Sequence, residues 1–279
     1  MSTKFDWATH SGDAWTRRWR EIDAALSDLA AKLHAVLLEK TPTTAFRALD
    51  VGCGAGSTSL RLAHARPDAT IVGCDLSPSL VQLAQNRLGD CNSVRILLGD
   101  AQVVAGGEGP FELIFSRHGV MFFDDPVAAF RSLREATKPG GVLVFSCFQD
   151  WWANPWASEL ASAAAGHDLP PPGTEAGGFA FADPDHVRQI LEAAGWNNAE
   201  FQPVHFRYVA GAGEGGIEQA LDFLSDVGPA SRVLGSLPDA ERSAAMERMR
   251  SVVELHCVGE TIEFPAAAWL WSSQAPPTA

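Results

Sequence analysis

Tyrosine is almost missing from this chain, with Tyr208 alone in 279 residues, and cysteine is sparse: Cys53, Cys74, Cys91, Cys147 and Cys257. The five are odd in number, scattered and free of any Cys-x-x-Cys pair, which offers neither a disulfide framework nor a zinc site and reads as a reducing, cytoplasmic setting. No apolar run approaches membrane-spanning length, and the start, with Lys4, Asp6, Asp13 and three arginines before residue 21, lacks the pattern of a signal peptide. Gly-Lys-Ser/Thr, His-Glu-x-x-His and magnesium-type acid clusters are all absent, so no phosphate loop and no metal are expected. Basic side chains are in deficit, 21 against 34 acidic, and the formal charge of -13 excludes a broad phosphate-binding face and with it long nucleic acid as a partner. Neither repeats nor low-complexity tracts occur, and the length suits one large α/β domain.

What the chain does have is a glycine turn between two well-marked elements. From Arg47 to Leu62 the sequence gives a short apolar run, Ala48 to Val51 with Asp50 inside it, then Gly52, Gly54 and Gly56 at every second position, then a helix-compatible segment from Ser57. That is a strand, a turn and a helix. Glycine belongs there because a side chain would keep a ligand from the backbone, and because the turn needs dihedrals that other residues avoid. Bare N–H groups and a helix N-terminus behind them attract a negative or lone-pair-bearing ligand.

Further units follow in series. Ala69 to Cys74 predicts a second strand that ends in Asp75 and Leu76, before Ser77-Pro78 starts a helix. A carboxylate at the carboxyl end of that strand can accept both hydroxyl protons of a ribose. Val94 to Leu98 predicts a third strand, followed by Gly99-Asp100-Ala101-Gln102, where Asp100 could equally cap the next short helix. Phe111 to Phe115 predicts a fourth, with Ser116-Arg117-His118-Gly119 at its end, the place where the strand order of such a sheet reverses. Asp124-Asp125-Pro126 opens another helix, and Lys138-Pro139-Gly140-Gly141 leads into a fifth strand, Val142 to Phe148. Three βα units in about a hundred residues predict a parallel sheet.

The flanks are less regular. Residues 1–46 form a leader with Trp7, Trp15 and Trp19, in which Ile22, Leu26, Leu29, Leu33 and Leu37 share one helical face. Residues 149–182, with Trp151, Trp152, Trp156 and a run of prolines, are irregular and read as a lid or substrate loop. Asp183-Pro184 caps a helix, Phe201 to Val209 alternates as a sixth strand, residues 210–258 carry a two-helix insertion, and Thr261 to Trp271 is the last strand before a frayed tail at 276–279.

The Asp-x-Gly-x-Gly-x-Gly form over Asp50 to Gly56, together with the Lys-Pro-Gly-Gly turn, resembles the class I methyltransferases that use S-adenosylmethionine, and the stretches Arg117 to Pro126 and Gly178 to Pro184 look like a bacterial small-molecule branch of them. The resemblance covers Arg47 to Phe148. It implies a single domain over 1–279 with a doubly wound, mostly parallel seven-stranded sheet, its cofactor core at 47–148, and it implies a cofactor site at Asp50, Gly52, Gly54, Gly56, Asp75, Leu76, Asp100, Ala101, Ser116 and Arg117. Asp100 would take the adenine amino group. Arg117 could hold a substrate carboxylate or pair with a neighbouring acid. Trp15, Trp19, Met121, Trp151 and Trp152 would shield a small, apolar methyl acceptor from water, or pack as ordinary core. His118 stands where the branch often has an aromatic residue, and is the first candidate for a general base, against a packing role. The expected product is a monomer or homodimer acting on a small molecule. The rival readings are a nicotinamide-dependent oxidoreductase, which Gly56 and the lack of Tyr-x-x-x-Lys disfavour, and a protein that binds the S-adenosyl group without methylating.

Overall fold

The computed structural model describes residues 7–277. Three helices lead in: α1 (His10–Arg17), α2 (Trp19–Ala25) and α3 (Ser27–Lys40). The one helix expected over Ile22 to Leu37 is therefore broken at Leu26, yet Ile22, Leu26, Leu29, Leu33 and Leu37 are all buried, because the break preserves the apolar stripe. The alternating core follows as β1 (Phe46–Val51), α4 (Ser57–Ala65), β2 (Ala69–Asp75), α5 (Pro78–Leu88), β3 (Val94–Leu98), α6 (Ala101–Glu108), β4 (Phe111–Arg117), α7 (Pro126–Glu135) and β5 (Thr137–Phe148). Helix starts are fixed locally: Ser77, Asp100 and Asp125 each accept a hydrogen bond from a backbone N–H two or three residues on.

The second half holds α8 (Pro155–Ala165), α9 (Pro184–Ala193), β6 (Asn197–Ala212), α10 (Gly216–Asp226), α11 (Pro229–Ser236), α12 (Asp239–Leu255), β7 (Cys257–Val258) and β8 (Thr261–Gln274). Two expectations need correction here. The segment 149–182 is not irregular throughout, since α8 buries Trp156, Leu160, Ala161 and Ala164 and packs on α11, α12 and β8; its small alanines hid a packing face that larger residues would have signalled. The insertion has three helices rather than two, the extra one, α11, opened by Pro229 in the first helical turn.

Strands run in the order β3-β2-β1-β4-β5-β8-β6, with the two-residue β7 paired to β8 as an eighth. From β3 to β5 the pairs are parallel; β8 and β6 are antiparallel. The sheet is thus the α/β, doubly wound kind the repeating units imply, with an antiparallel pair added at one side. β1 lies between β2 and β4, so both its edges are paired, and five of its six residues are buried. β6 and β8 each extend several residues past the predicted limits, because they pair with each other along nearly their whole length.

Candidate functional site

The topological switch lies where β1 is flanked by β2 on one side and β4 on the other, and the carboxyl ends of these strands open into a cavity. Gly52, Gly54 and Gly56 all have left-handed backbones, with φ of 65°, 53° and 80°. Gly52 and Gly54 line this cavity, and a Cβ on Gly54 would meet no atom within 4 Å, so its open side is a cradle that glycine leaves free. Gly56 is different: it caps α4 and packs on Ala84 of α5, at 3.3 Å from where its Cβ would be.

Asp75 ends β2 at the same cavity. One carboxylate oxygen accepts the Gly54 N–H and the other the Ser77 N–H, both at 2.9 Å, which fixes the carboxylate and leaves further lone pairs to the cavity. Burial pushes its pKa up, opposed by these N–H donors. Leu76, Asp100, Ala101 and Arg117 complete this wall, and the Asp100 carboxylate also accepts the Gln102 N–H at 2.9 Å as the cap of α6. The two roles foreseen for Asp100, cap and site residue, are thus compatible in space.

Asp50 and Ser116 lie behind the turn. Asp50 is 1 % exposed, accepts the Ser59 hydroxyl at 2.6 Å, and is pushed up to about 7 by burial. Ser116 donates to the Val51 carbonyl at 2.7 Å and accepts the Gly119 N–H at 3.1 Å, tying the end of β4 to the end of β1. Neither faces the main cavity; both brace the loops that form it. Arg117 donates to Asp23 of α2 at 3.0 Å, and Asp23 also takes Arg87 and the Ser57 hydroxyl, so the arginine is paired with an acid of the leader. Trp19 lies against Arg87 and Arg20, with the guanidinium carbons 4.0 and 4.4 Å from its ring centroid, and borders only a small pocket behind the turn.

A second, larger cavity of about 790 Å³ adjoins the first, and Trp7, Trp15, His118 and Phe122 line both. His118 has a left-handed backbone, φ 60°, unusual for any residue but glycine and suited to a functional position. Its Nδ1 is 2.7 Å from the Ser146 hydroxyl, its ring meets Phe148 edge-on at 4.0 Å, and its Nε2 is buried with no hydrogen-bond partner among the described residues. Burial, aided by the charge of Arg117, pushes the imidazole down to about 3, so it is neutral at any physiological pH.

Helix α1 closes both cavities from above. Gly12 packs so tightly on Ser77 that a Cβ there would lie 2.3 Å from the serine oxygen. Thr16 donates to Ser79 at 3.0 Å and Ser79 to Asp13 at 2.8 Å, while Arg17 and Arg18 pair with Asp226 at the end of α10, at 3.2 and 3.0 Å. The leader is pinned on the side of the first cavity by α5 and on the other by the insertion.

Of the apolar residues expected to shield an acceptor, Trp15 and Met121 line the large cavity, while Trp19, Trp151 and Trp152 do not. Trp151 is buried edge-on against Phe179, and Trp152 is exposed on the surface. Sequence pattern gave these indoles equal standing, because the 3₁₀ turn at 151–153 that turns one inward and the next outward leaves no periodic mark. Residues that lay outside the expectation include Phe148 of β5, Phe179 of the connection between α8 and α9, Tyr208 of β6, and Phe122, one step from Met121. No group of three metal-ligating side chains and no helix long and apolar enough to cross a membrane occurs among the described residues.

Residues 49–145 match a family model described as a methyltransferase domain. The malonyl-[acyl-carrier protein] O-methyltransferase of Geobacter sulfurreducens is 29% identical over 154 residues, covering 55% of this chain and 57% of that protein. The ubiquinone biosynthesis O-methyltransferase of Dinoroseobacter shibae is 28% identical over 179 residues, covering 62% and 69%. This chain spans 34%, 38% and 57% of the length of the first three curated relatives it matches. Among solved structures, the YcgJ protein of Bacillus subtilis superposes with a TM-score of 0.58 at 16% identity, over 89% of this chain and all of that one, a likeness of fold.

Proposed function

We propose that this chain, whose residues 49–145 match a methyltransferase domain, is a class I methyltransferase that uses S-adenosylmethionine and transfers its methyl group to an oxygen, nitrogen or carbon atom of a small molecule. The observation that carries this reading is the meeting of two cavities at His118: a narrow one with the glycine turn and a fixed carboxylate, and a wide one walled by aromatic rings.

The residues fit the cofactor. The open side of Gly54 admits a ligand to the turn, Asp75 offers carboxylate lone pairs for a pair of ribose hydroxyls, and Asp100 with Ala101 and Leu76 borders the far end. When bound, the cofactor supplies an electrophilic methyl group whose bonding electrons stay on sulfur as the acceptor's lone pair takes it. The protein's share is alignment and a dry setting. Trp15 and Phe122 sit on the shared wall, where aromatic rings suit a cationic sulfonium, and Trp15 brings α1 to the junction of the two cavities. His118, held neutral and with its Nε2 unpartnered, lines both cavities and would orient an acceptor by one hydrogen bond; an imidazole pushed this low is a poor store for a proton.

The antiparallel β8–β6 pair also speaks for this reading over a nicotinamide-dependent oxidoreductase, whose sheet continues parallel beyond the fifth strand. Calorimetry with S-adenosylhomocysteine tests the cofactor; absence of heat at millimolar ligand would defeat it. If the cofactor product binds but no compound in a broad acceptor screen gains 14 mass units, the binding-only alternative takes over.

A further inference from the structure

The wide cavity says more about its occupant than that it is small. Pockets for drug-sized ligands run from about 300 to about 1,000 Å³, and this one, at about 790 Å³, has room well beyond a single ring. Its inner walls are aromatic and come as stacked pairs: Trp156 lies parallel to Tyr208 at 4.5 Å and 3°, and Phe148 to Phe179 at 5.5 Å and 27°. Uncharged side chains with hydrogen-bonding groups line this cavity, His118, Tyr208 and Trp7 among them, and Nε2 of His118 and Nε1 of Trp7 are buried with no partner among the described residues. Charge is kept outside or cancelled: Glu175 and Arg232 are exposed at the mouth, and Asp226 is held by two arginines.

Resting on the methyl-transfer reading above, we propose that the acceptor is an uncharged, planar aromatic molecule of three or more rings, with a hydroxyl at His118 and a second oxygen at Tyr208. Flat walls gain ring-to-ring contact from such a molecule beyond simple burial. A rigid body also loses less freedom on entering an enclosed site than a flexible chain of the same volume. Burial pushes the Tyr208 phenol up, so it remains a donor, and pushes His118 down, so neither handle attracts an ion. The methyl transfer would balance as an ether: the acceptor oxygen forms the bond to carbon, the carbon–sulfur bond breaks, and the hydroxyl proton leaves to solvent.

The test is calorimetry on the full protein saturated with S-adenosylhomocysteine, titrated in turn with 1-hydroxyanthraquinone, phenol and decan-1-ol. The expected result is a dissociation constant for the three-ring probe at least about tenfold below both others. Gly178 lines the cavity, and a Cβ on it would meet no atom within 4 Å, so Gly178→Trp adds bulk without a clash at its root; it should remove the three-ring advantage and leave the affinity for S-adenosylhomocysteine unchanged. Tyr208→Phe should weaken the three-ring probe about tenfold and phenol little. Equal binding of phenol and the three-ring probe, or tighter binding of decan-1-ol, overturns the proposal while the cofactor reading stands. Failure of S-adenosylhomocysteine to bind removes both.

Discussion

His118 hangs from Ser146 by two bonds: its amide donates to the Ser146 carbonyl at 3.2 Å, and its Nδ1 lies 2.7 Å from the Ser146 hydroxyl. Since β4 and β5 are parallel neighbours with Arg117 opposite Ser146, the sheet itself sets where the imidazole stands, and the free Nε2 is its outcome. Ser146→Ala strips the ring of its side-chain hydrogen bond. It should cost about 1–3 kcal/mol of stability and lower kcat more than it raises KM, as read by denaturation and steady-state kinetics.

His118 itself should leave no inflection in rate between pH 5 and 8, because its ring titrates at about 3. Its replacement by Phe should lower kcat at every pH by a constant factor. A wild-type profile with a break near 6.5 that vanishes in the variant would restore the general-base role.

Asp75→Ala should weaken S-adenosylhomocysteine by about 10- to 100-fold, the worth of one or two hydrogen bonds to a charged group. The carboxylate is the form that accepts from hydroxyls. Its pKa is raised in the free protein, so affinity should hold at neutral pH and fall as acid protonates it, starting above the usual aspartate range. Calorimetry from pH 7 to pH 4 reads this directly.

Gly12→Val should lift α1 rather than unfold the sheet. The new side chain would collide with Ser77 and the Trp7 carbonyl, freeing the helix from α5 while the Arg18–Asp226 pair remains. Faster release of S-adenosylhomocysteine and protease cuts near residue 12, with a melting temperature shifted by only a few degrees, are the expected signs.

Asp50 makes stability depend on pH in a stated direction. Its folded pKa of about 7 lies above the ordinary value of 3.8, so the folded state holds a proton that the unfolded chain gives up. Its contribution is full below about pH 4 and is lost as pH rises through 7. Asp50→Asn keeps an acceptor for Ser59 without the buried charge; in urea it should match the wild type near pH 4 and exceed it at pH 8.

Much of the site was visible in residue order alone, and the exceptions share a cause. The turn at Gly52 and Gly54, the strand-ending Asp75 and the helix-capping Asp100 are local devices, fixed by neighbours a few residues away, and they fall together at one cavity. Asp50, Gly56 and Ser116 obey the same local pattern but point behind the loop, a distinction made by contacts with Ser59, Ala84 and Val51 from other parts of the chain. Trp151 and Trp152 differ only by which side of a 3₁₀ turn each occupies.

Sequence by itself determined the parallel core, the glycine cradle and the order of the βα units, because strand period, capping and backbone freedom are properties of short segments. Only the tertiary structure decided the wide cavity: Trp15, Met121, Phe148, Trp156, Phe179 and Tyr208 are drawn from across the whole chain, and no spacing rule links them. Their neighbourhood exists because β8 inserts beside β5 and carries β6 with it, while α1 is pinned across the opening by Ser77 and Asp226. Cavities between distant segments are made by packing, and packing is what a linear pattern does not record.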